Sequence, residues 1–400
     1  MSGKALHFVV AGGGIGGLSA ALGLALRGIQ VTVLEQAHQF GEIGAGIQIG
    51  PNAFHAMDYL GVGEAARAKA VYIDKLVMMD GASGEQIAQI PVDAPFRERF
   101  RNPYAVIHRA DLHGVLLDAC RANDLITLIT NQRALSYGQD ASGAWVKTES
   151  GDEFRGDAVI GCDGVRSKIR EQLTGGDDLR LSGHVAYRAV LPIEKMPEDL
   201  RWNAATLWAG PKCHLVHYPL QGWKTFNIVA TFQTDVSNVG TNEPGTPEEV
   251  LSRFGKVVPK ARKILETPTE WRRWVLGDRD PIENWTDGRV TLLGDAAHPT
   301  HQYFAQGACM AMEDAVCLSD RLSKYANSIY GSDLNAAFLS YQEERIIRAY
   351  RVVLSSRELG RLYHAEGVFR KIRNDVMSKK TAEDYYNGLQ WLYGGTGLGG

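Results

Sequence analysis

A glycine run near the start of the chain, GGGIGG at residues 12–17, matches the pattern GxGxxG. An apolar stretch at residues 6–11 precedes it and predicts a strand, and residues 18–27 predict a helix. Backbone amides at such a junction, together with the positive end of the helix, can hold a pyrophosphate. Glu35 follows the next predicted strand, residues 30–34, where a carboxylate can accept hydrogen bonds from an adenosine ribose. The pattern therefore predicts an adenine dinucleotide site without separating FAD from NAD.

Two further polar motifs follow predicted strands later in the chain. GCDG at residues 161–164 comes at the end of the strand predicted at residues 157–160. GDAAHP at residues 294–299 ends another strand, before a helix predicted over residues 308–325. A second GxGxxG match, at residues 395–400, leaves no room for a following helix and is discarded. Each short motif is weak alone, because an ordinary capped turn can carry the same residues.

These motifs, with HRADL at residues 108–112, resemble the fingerprints of the flavoprotein aromatic hydroxylases, and the resemblance covers nearly the whole chain. It implies non-covalent FAD and an α/β fold like that of p-hydroxybenzoate hydroxylase. In that fold a Rossmann-like FAD-binding lobe carries an inserted, mainly antiparallel β-sheet lobe for the substrate, followed by C-terminal helices. By the same resemblance, Asp295 contacts the ribityl and pyrophosphate region, Asp163 lies near the junction of flavin and pyridine nucleotide, and Arg109 reaches the cofactor. The predicted FAD-binding residues are Gly12, Gly14, Ile15, Gly16, Gly17, Glu35, Gln36, Ala45, Gly46, Gln48, Arg109, Asp163, Gly294, Asp295, Gly307 and Ala308.

Two glycine-containing segments are predicted to pass close to the flavin ring. Gly307 and Ala308 precede a helix, so their amides can face the N1/C2 carbonyl edge, where negative charge accumulates on reduction. The segment GEIGAGIQ at residues 41–48 resembles the family loop beside the ring, with Gln48 as a contact. Small residues at both places permit a close approach of the backbone.

Within the family, the resemblance is closest to enzymes that hydroxylate 3-hydroxybenzoate, and next to those that hydroxylate salicylate. It implies that NADH reduces the flavin, that oxygen adds at C4a, and that the flavin hydroperoxide transfers its distal oxygen to a phenol ring. The expected product of 3-hydroxybenzoate is 2,5-dihydroxybenzoate (gentisate). Two alternatives are open: decarboxylating hydroxylation of salicylate to catechol, and a non-catalytic flavoprotein that senses aromatic compounds.

Such a reaction needs a base near the substrate hydroxyl, because a phenol with a pKa of roughly 10 is almost entirely neutral at pH 7. The predicted strand CHLVHYPL, residues 213–220, offers one. Alternation along a strand places His214, Val216 and Tyr218 on one face, and Cys213 and His217 on the other. One imidazole and one phenol are therefore expected to share a face, while His217 is expected to be structural.

The resemblance assigns roles to four residues at the substrate. His214 with Gln302 assists deprotonation, Tyr218 orients the ring and its carboxylate, and Tyr104 lines the pocket. Gln302 replaces a proline that many relatives carry, and its amide can bond the substrate hydroxyl. Arg188 is left out of the predicted site, because an arginine leaving a strand is more often a charge at the surface or between lobes.

The elements that must position these residues divide the chain into four segments. Residues 1–182 and 286–330 are predicted to form the two parts of the FAD-binding lobe. Residues 183–285 form the substrate lobe, in which Thr246 and Glu249 fit a capping box. Residues 331–400 form a C-terminal helical region. A helix over residues 108–122 is expected to be capped by Asp111.

Composition excludes several classes of function. The 400 residues carry a formal net charge of -3, with 44% hydrophobic and 22% charged residues, and offer no basic patch for nucleic acid. No apolar stretch is long enough to span a membrane and no signal peptide is recognised, so a cytoplasmic location is expected. Five scattered cysteines suggest neither a disulfide framework nor a metal site. The expected partners are a small aromatic substrate and molecular oxygen; a homodimer is compatible with the sequence, which does not determine the oligomeric state.

Overall fold

The computed structural model describes residues 5–41, 45–234, 242–326 and 333–395. Residues 42–44 of the predicted flavin loop and residues 396–400 of the discarded glycine match lie outside these ranges. The strands are β1 (His7–Ala11), β2 (Gln30–Leu34), β3 (Gly46–Ile49), β4 (Val71–Tyr72), β5 (Lys75–Asp80), β6 (Gln86–Pro91), β7 (Ala105–His108), β8 (Ile126–Ile129), β9 (Ala134–Asp140), β10 (Gly143–Thr148), β11 (Glu153–Gly156), β12 (Ala158–Gly161), β13 (Arg180–Pro192), β14 (Ala204–Gly210), β15 (Cys213–Leu220), β16 (Thr225–Gln233), β17 (Glu243–Gly245), β18 (Trp271–Asp278), β19 (Thr286–Asp287) and β20 (Val290–Leu292). The α-helices are α1 (Ile15–Ala25), α2 (Pro51–Tyr59), α3 (Gly63–Lys69), α4 (Ala94–Phe100), α5 (Arg109–Arg121), α6 (Lys168–Thr174), α7 (Pro247–Arg253), α8 (Pro259–Leu265), α9 (Gly307–Ala326), α10 (Leu334–Tyr363), α11 (Gly367–Ser378) and α12 (Ala382–Tyr393).

The first lobe is built on a six-stranded sheet in the order β19-β20-β12-β1-β2-β8. β1 pairs in parallel with both β2 and β12. Parallel strands covered on both faces are almost wholly apolar, which explains why residues 6–11 carry no alternation. α1 connects β1 to β2 and packs against α9. The predicted βαβ opening is present, and β2 has the predicted bounds.

The second lobe is an eight-stranded sheet in the order β17-β18-β13-β16-β15-β14-β5-β6. Its central strands pair antiparallel, as the alternating pattern over residues 183–285 predicts. β5 and β6 come from residues 75–91, although the predicted boundary assigned residues 1–182 wholly to the first lobe. β5 pairs in parallel with β14 and so supplies hydrogen-bond partners to a strand that would otherwise be an open edge. Nothing in the local sequence marks that long-range pairing.

Two helix starts show where local signals succeed and fail. Thr246 and Glu249 form the predicted capping box at the start of α7. α5 instead takes His108 as its N-cap, and Asp111 lies in the first turn without capping it. The reason is that β7 pairs with β3 as far as His108, opposite Gly46, so the helix can only begin afterwards. Arg109 therefore becomes the first residue of α5.

The C-terminal helices pack on both lobes. α10 packs against α9, while α11 and α12 lie against β6. Within the described ranges, no helix combines the length and the apolar character that a membrane span requires.

Candidate active site

A cavity of about 690 Å³ lies where the two lobes and the C-terminal helices meet. Pockets of this size accept cofactors and small ligands. The predicted site residues that line it come from segments far apart in the chain, and they include both the proposed cofactor motifs and the proposed substrate residues. They are Gly14, Ile15, Gly16, Gly46, Gln48, Tyr104, Arg109, His214, Tyr218, Gly294, Asp295, Gln302, Gly307 and Ala308.

One end of the cavity is formed by the glycine turn before α1. Gly12 has φ +118°, and a Cβ there would lie 2.2 Å from the Cys162 carbonyl oxygen, so only glycine fits. A Cβ on Gly17 would lie 1.9 Å from the Gly12 carbonyl oxygen. Gly14 is the N-cap of α1 and makes no side-chain cap, so the first amides of the helix have no side-chain acceptor from that residue. This arrangement suits the pyrophosphate of an adenine dinucleotide.

Glu35 lies beside this turn but does not line the cavity. Its Oε2 accepts a hydrogen bond from the Gly13 amide at 3.0 Å, and its Oε1 accepts one from the Ala37 amide at 2.8 Å. Gln36 is exposed next to it. Ala45 is buried, and its carbonyl accepts from the Arg109 amide at 2.9 Å. The two bonds to Glu35 hold a half-buried carboxylate at the end of β2, where a ribose can be bound.

Replacing Glu35 by alanine is expected to weaken FAD binding by about 1.5 to 3 kcal/mol, the contribution of one charge-assisted hydrogen bond. Titration of the apoprotein with FAD, followed by quenching of flavin fluorescence, measures the change. Glu35→Gln is the matched control, because it keeps an acceptor oxygen without the charge and should lose less. An unchanged FAD affinity in Glu35→Ala would remove this carboxylate from the cofactor site.

The GDAAHP motif and the start of α9 form the wall next to the glycine turn, where a Cβ on Gly16 would lie 3.4 Å from the Ala311 Cβ. Gly307 and Ala308 line the cavity at the N-terminal end of that helix, where the helix dipole favours negative charge. Asp295 is open to the cavity, and shielding from bulk solvent raises the pKa of its carboxyl. Electrostatic interactions with His298 and Arg109 lower it. The wall therefore offers amide donors and a carboxyl acceptor to a polar ligand.

The side chain of Asp163 makes its hydrogen bonds at the start of α6. Its carboxylate accepts from the Ser167 hydroxyl at 2.5 Å and from the amides of Lys168 and Ile169 at 2.7 and 3.2 Å. Its neighbours Cys162 and Gly164 line the cavity, whereas Asp163 does not. The carboxylate thus fixes a loop beside the cavity, and its predicted contact with the cofactor stays a prediction.

β15 forms the part of the cavity wall that is predicted to bind the substrate. His214 and Tyr218 line it, as the alternation predicts. Cys213 belongs to the apolar core behind the sheet, and the fully buried His217 accepts a hydrogen bond from the Trp208 indole at 3.2 Å. His217 therefore has the expected structural role, and His214 is the imidazole that a substrate can reach.

Two phenol groups complete this part of the wall. Tyr104 donates its hydroxyl proton to Gln48 Oε1 at 2.7 Å, and burial raises its pKa well above the usual value. Burial also raises the pKa of Tyr218. A Cβ on Gly46 would lie 2.5 Å from the Tyr218 ring, so glycine at this position makes room for it. Both phenols stay protonated at neutral pH and can serve as hydrogen-bond donors.

Gln302 is held at both ends of its amide. Its Oε1 accepts from Arg188 at 2.8 Å, and its Nε2 donates to the Thr231 hydroxyl at 2.8 Å. One N–H and one lone pair are left for a ligand.

Arg188, which the sequence analysis left out of the predicted site, lines the cavity. Its Nε is shielded from solvent and has no hydrogen-bond partner among the described residues. Burial, with a contribution from the positive charge of Arg109, lowers its pKa to about 10, so the guanidinium stays charged at pH 7. Its neighbour Tyr187 packs into the core behind the sheet, and strand alternation thereby turns Arg188 towards the cavity. That alternation is the sequence signal that could have found it.

His214 also contacts a residue that the sequence did not indicate. Its Nδ1 lies 2.7 Å from Nε2 of His364, in the segment after α10. Burial, and secondarily the field of His184, lowers the pKa of His214 to about 3. The imidazole is therefore neutral at pH 7 and can accept a proton.

Comparisons with known proteins agree with this reading. The family description "FAD binding domain" matches residues 6–356. The chain is 51% identical to a 3-hydroxybenzoate 6-hydroxylase of Polaromonas naphthalenivorans (strain CJ2), over 97% of this chain and 96% of the relative. It is 48% identical to a protein of the same name from Klebsiella oxytoca, over 98% and 97% of the two chains.

Solved structures share the fold over nearly the full length. Klebsiella pneumoniae HpxO complexed with FAD and uric acid has a TM-score of 0.83 at 26% identity, covering 96% of this chain and 95% of its own. A salicylate hydroxylase substrate complex has a TM-score of 0.83 at 24% identity, covering 99% and 97%, and shows the same fold. With a glycine turn suited to a dinucleotide at one end of the cavity and a neutral imidazole at the other, the chain belongs to the FAD-dependent aromatic hydroxylases and is a flavin-dependent aromatic monooxygenase.

Proposed function

We propose that this enzyme uses NADH and oxygen to hydroxylate 3-hydroxybenzoate para to its hydroxyl, giving 2,5-dihydroxybenzoate. The observation that carries the proposal is one cavity that joins the FAD motifs to a neutral imidazole and a recessed guanidinium. An aromatic ring with one hydroxyl and one carboxylate matches this pair of groups. The names of the relatives at 46% to 51% identity support the same substrate.

The residues around the cavity fit FAD. The amides at the start of α1 would hold the pyrophosphate, Asp295 and Arg109 the ribityl region, and Gly307 and Ala308 the edge of the ring that becomes negative on reduction. When bound and reduced by NADH, FAD supplies the activated oxygen that the substrate ring takes up.

The residues of the chain prepare the substrate for that attack. His214 removes the phenol proton, which makes the ring a better nucleophile, and Gln302 bonds the same oxygen. Arg188 pairs with the carboxylate, in line with its unpartnered Nε. Tyr218 stays neutral and donates a hydrogen bond to the substrate, while Tyr104, whose hydroxyl proton is donated to Gln48, lines the pocket.

The position of hydroxylation follows from binding both the hydroxyl and the carboxylate of the substrate. A phenolate directs an electrophilic oxygen to the ortho and para carbons, so the enzyme must choose between them. With the hydroxyl at His214 and the carboxylate at Arg188, the ring has one orientation in the cavity. The name 6-hydroxylase of the relatives supports the para carbon as the one presented to the flavin.

Substrate-stimulated consumption of NADH tests the proposal. We expect 3-hydroxybenzoate to accelerate NADH oxidation and gentisate to accumulate, with NADPH and salicylate as comparison compounds. A protein that binds 3-hydroxybenzoate without accelerating NADH oxidation would be a sensor of aromatic compounds. Faster turnover of salicylate to catechol would replace the proposed substrate.

A further inference from the structure

The cavity continues beyond His214 along one face of the second sheet. Side chains of β14, β5 and β6 line it, and β6 lies three strands away from β15 in the sheet order. Neighbouring strands are about 4.8 Å apart, so the cavity reaches a strand about 14 Å from β15. This extension is called the side passage below. Its floor is formed by apolar side chains of the three strands, namely Leu207, Leu76, Met78, Ala88 and Ile90.

The C-terminal helices cover the side passage with uncharged side chains. Met377 of α11 and Tyr385 and Leu389 of α12 line the cavity, and both helices pack against β6. Walls of this kind suit an aromatic ring. The two groups proposed to hold the substrate, His214 and Arg188, lie on β15 and β13, so the ring is bound before the side passage begins. The passage therefore needs an explanation other than the bound substrate.

The exposed residues of the wall show where the cavity meets solvent. Among the described residues that line the cavity, four are exposed: Asp295, Lys380, Asp384 and Gly388. Asp295 belongs to the GDAAHP motif, which FAD is proposed to cover. Asp384 and Gly388 are four residues apart on one side of α12, and Lys380 lies just before that helix. In the FAD-loaded enzyme, the opening at α12 is therefore the one that the described residues leave for a substrate.

Gly388 lies in the interior of α12, where glycine destabilises a helix relative to alanine. Its backbone is helical without a positive φ, so its conformation does not require glycine. A Cβ at this position would have no heavy atom within 4 Å, so packing does not require glycine either. What the missing side chain does is leave space free at the opening.

We propose that the aromatic substrate enters and leaves through the opening at α12, and that Gly388 keeps this opening wide enough for the ring. The inference rests on the proposed function, because the molecule that passes is the proposed hydroxybenzoate. It extends that function by a residue that does not touch the bound substrate. Lys380 and Asp384 bring opposite charges to the opening, which therefore selects by size and not by charge.

The test places an obstacle in the opening and measures the kinetics of binding. FAD-loaded enzyme is mixed with 3-hydroxybenzoate in the absence of NADH, and the flavin absorbance is followed by stopped flow over a range of substrate concentrations. In Gly388→Phe we expect both kon and koff to fall at least roughly tenfold, because the ring must wait for the new side chain to move aside. The Kd should stay within about twofold of wild type, because an obstacle on the path leaves the free and bound states unchanged.

Two controls separate the obstacle from other effects of the substitution. Gly114→Phe makes the same change at a glycine of α5 that also has open space around its Cβ position but does not line the cavity. This variant should bind 3-hydroxybenzoate at wild-type rates. 3-Hydroxybenzyl alcohol, which has no carboxylate, should be slowed in Gly388→Phe by the same factor as 3-hydroxybenzoate, because the obstacle acts on the ring.

A reversible obstacle decides the question if Gly388→Phe does not retain FAD. Gly388→Cys is purified with FAD and then treated with benzyl methanethiosulfonate, which attaches a benzylthio group to the new cysteine through a disulfide. Binding should become slow after treatment and recover when dithiothreitol removes the group. Wild type treated in the same way should be unaffected, because burial raises the pKa of Cys162, the cysteine that lines its cavity, well above the usual value.

The outcomes separate the opening from the proposed function. Wild-type rates in Gly388→Phe, or in the benzylthio-modified Gly388→Cys, would overturn the opening and indicate entry past the flavin. A weaker Kd with an unchanged kon would also overturn it, because Gly388 would then belong to the wall that holds the bound substrate. Failure of wild type to bind 3-hydroxybenzoate would contradict the proposed function, whereas normal wild-type binding beside an unaffected variant would contradict the opening alone.

Discussion

His214→Ala is expected to keep FAD bound and to slow oxygen transfer by about 10²- to 10⁴-fold, the usual effect of losing a positioned acid–base group. Flavin reduction should change less, because His214 lies at the substrate end of the cavity. The neutral phenol would react slowly with the activated oxygen, which would then escape as hydrogen peroxide. Gentisate formed per NADH consumed is the ratio to measure, with single-turnover oxidation to isolate the transfer step.

The ratio of gentisate formed to NADH consumed is also expected to depend on pH in a defined direction. Burial lowers the pKa of His214 to about 3, so wild type keeps a neutral base at neutral pH and loses it only in strong acid. In His214→Ala, raising the pH should recover part of the coupling, because more substrate arrives as phenolate. His217→Ala is the control on the opposite face of the strand. A variant ratio equal to wild type at every pH would make His214 a structural residue.

Arg188→Gln is expected to weaken binding of 3-hydroxybenzoate by about 2 to 5 kcal/mol, which is roughly 30- to 4,000-fold in Kd. The physical reason is that a substrate carboxylate would then enter a recessed site without its counter-charge. Titration of the FAD-loaded enzyme, followed by the perturbation of flavin absorbance, measures the Kd.

A ligand without the charge provides the control for this variant. 3-Hydroxybenzyl alcohol keeps the ring and the phenol but has no carboxylate, so its weaker binding should change little between wild type and Arg188→Gln. An equal loss for both ligands would contradict the carboxylate pairing. It would instead assign Arg188 to holding Gln302, to which it donates a hydrogen bond.

Features decided by neighbouring residues could be predicted from the sequence. The glycine turn needs Gly12 for its backbone conformation, and its place between a strand and a helix is visible in the apolar pattern. Alternation along β15 correctly sorted His214 from His217. Both features depend on residues only a few positions apart, so the sequence alone indicates them.

Features decided by distant pairing could not be predicted in the same way. β5 joins β14 across more than a hundred residues, and His364 meets His214 across 150 positions, so no local spacing reports either contact. Asp111 failed as a cap for a related reason, since the pairing of β7 with β3 moved the helix start. Arg188 lies between these cases. Strand alternation indicates that Arg188 and Tyr187 point to opposite faces of the sheet, but no local signal shows which face lines the cavity.

The most direct test of the account is the identity of the product formed from 3-hydroxybenzoate under isotopically labelled oxygen. Purified enzyme with FAD and NADH should give gentisate that carries one labelled oxygen atom, identified by chromatography against 2,3- and 3,4-dihydroxybenzoate and by mass. The labelled oxygen should lie para to the original hydroxyl. An ortho product, an unlabelled product, or no product while salicylate is converted to catechol would contradict the proposed reaction.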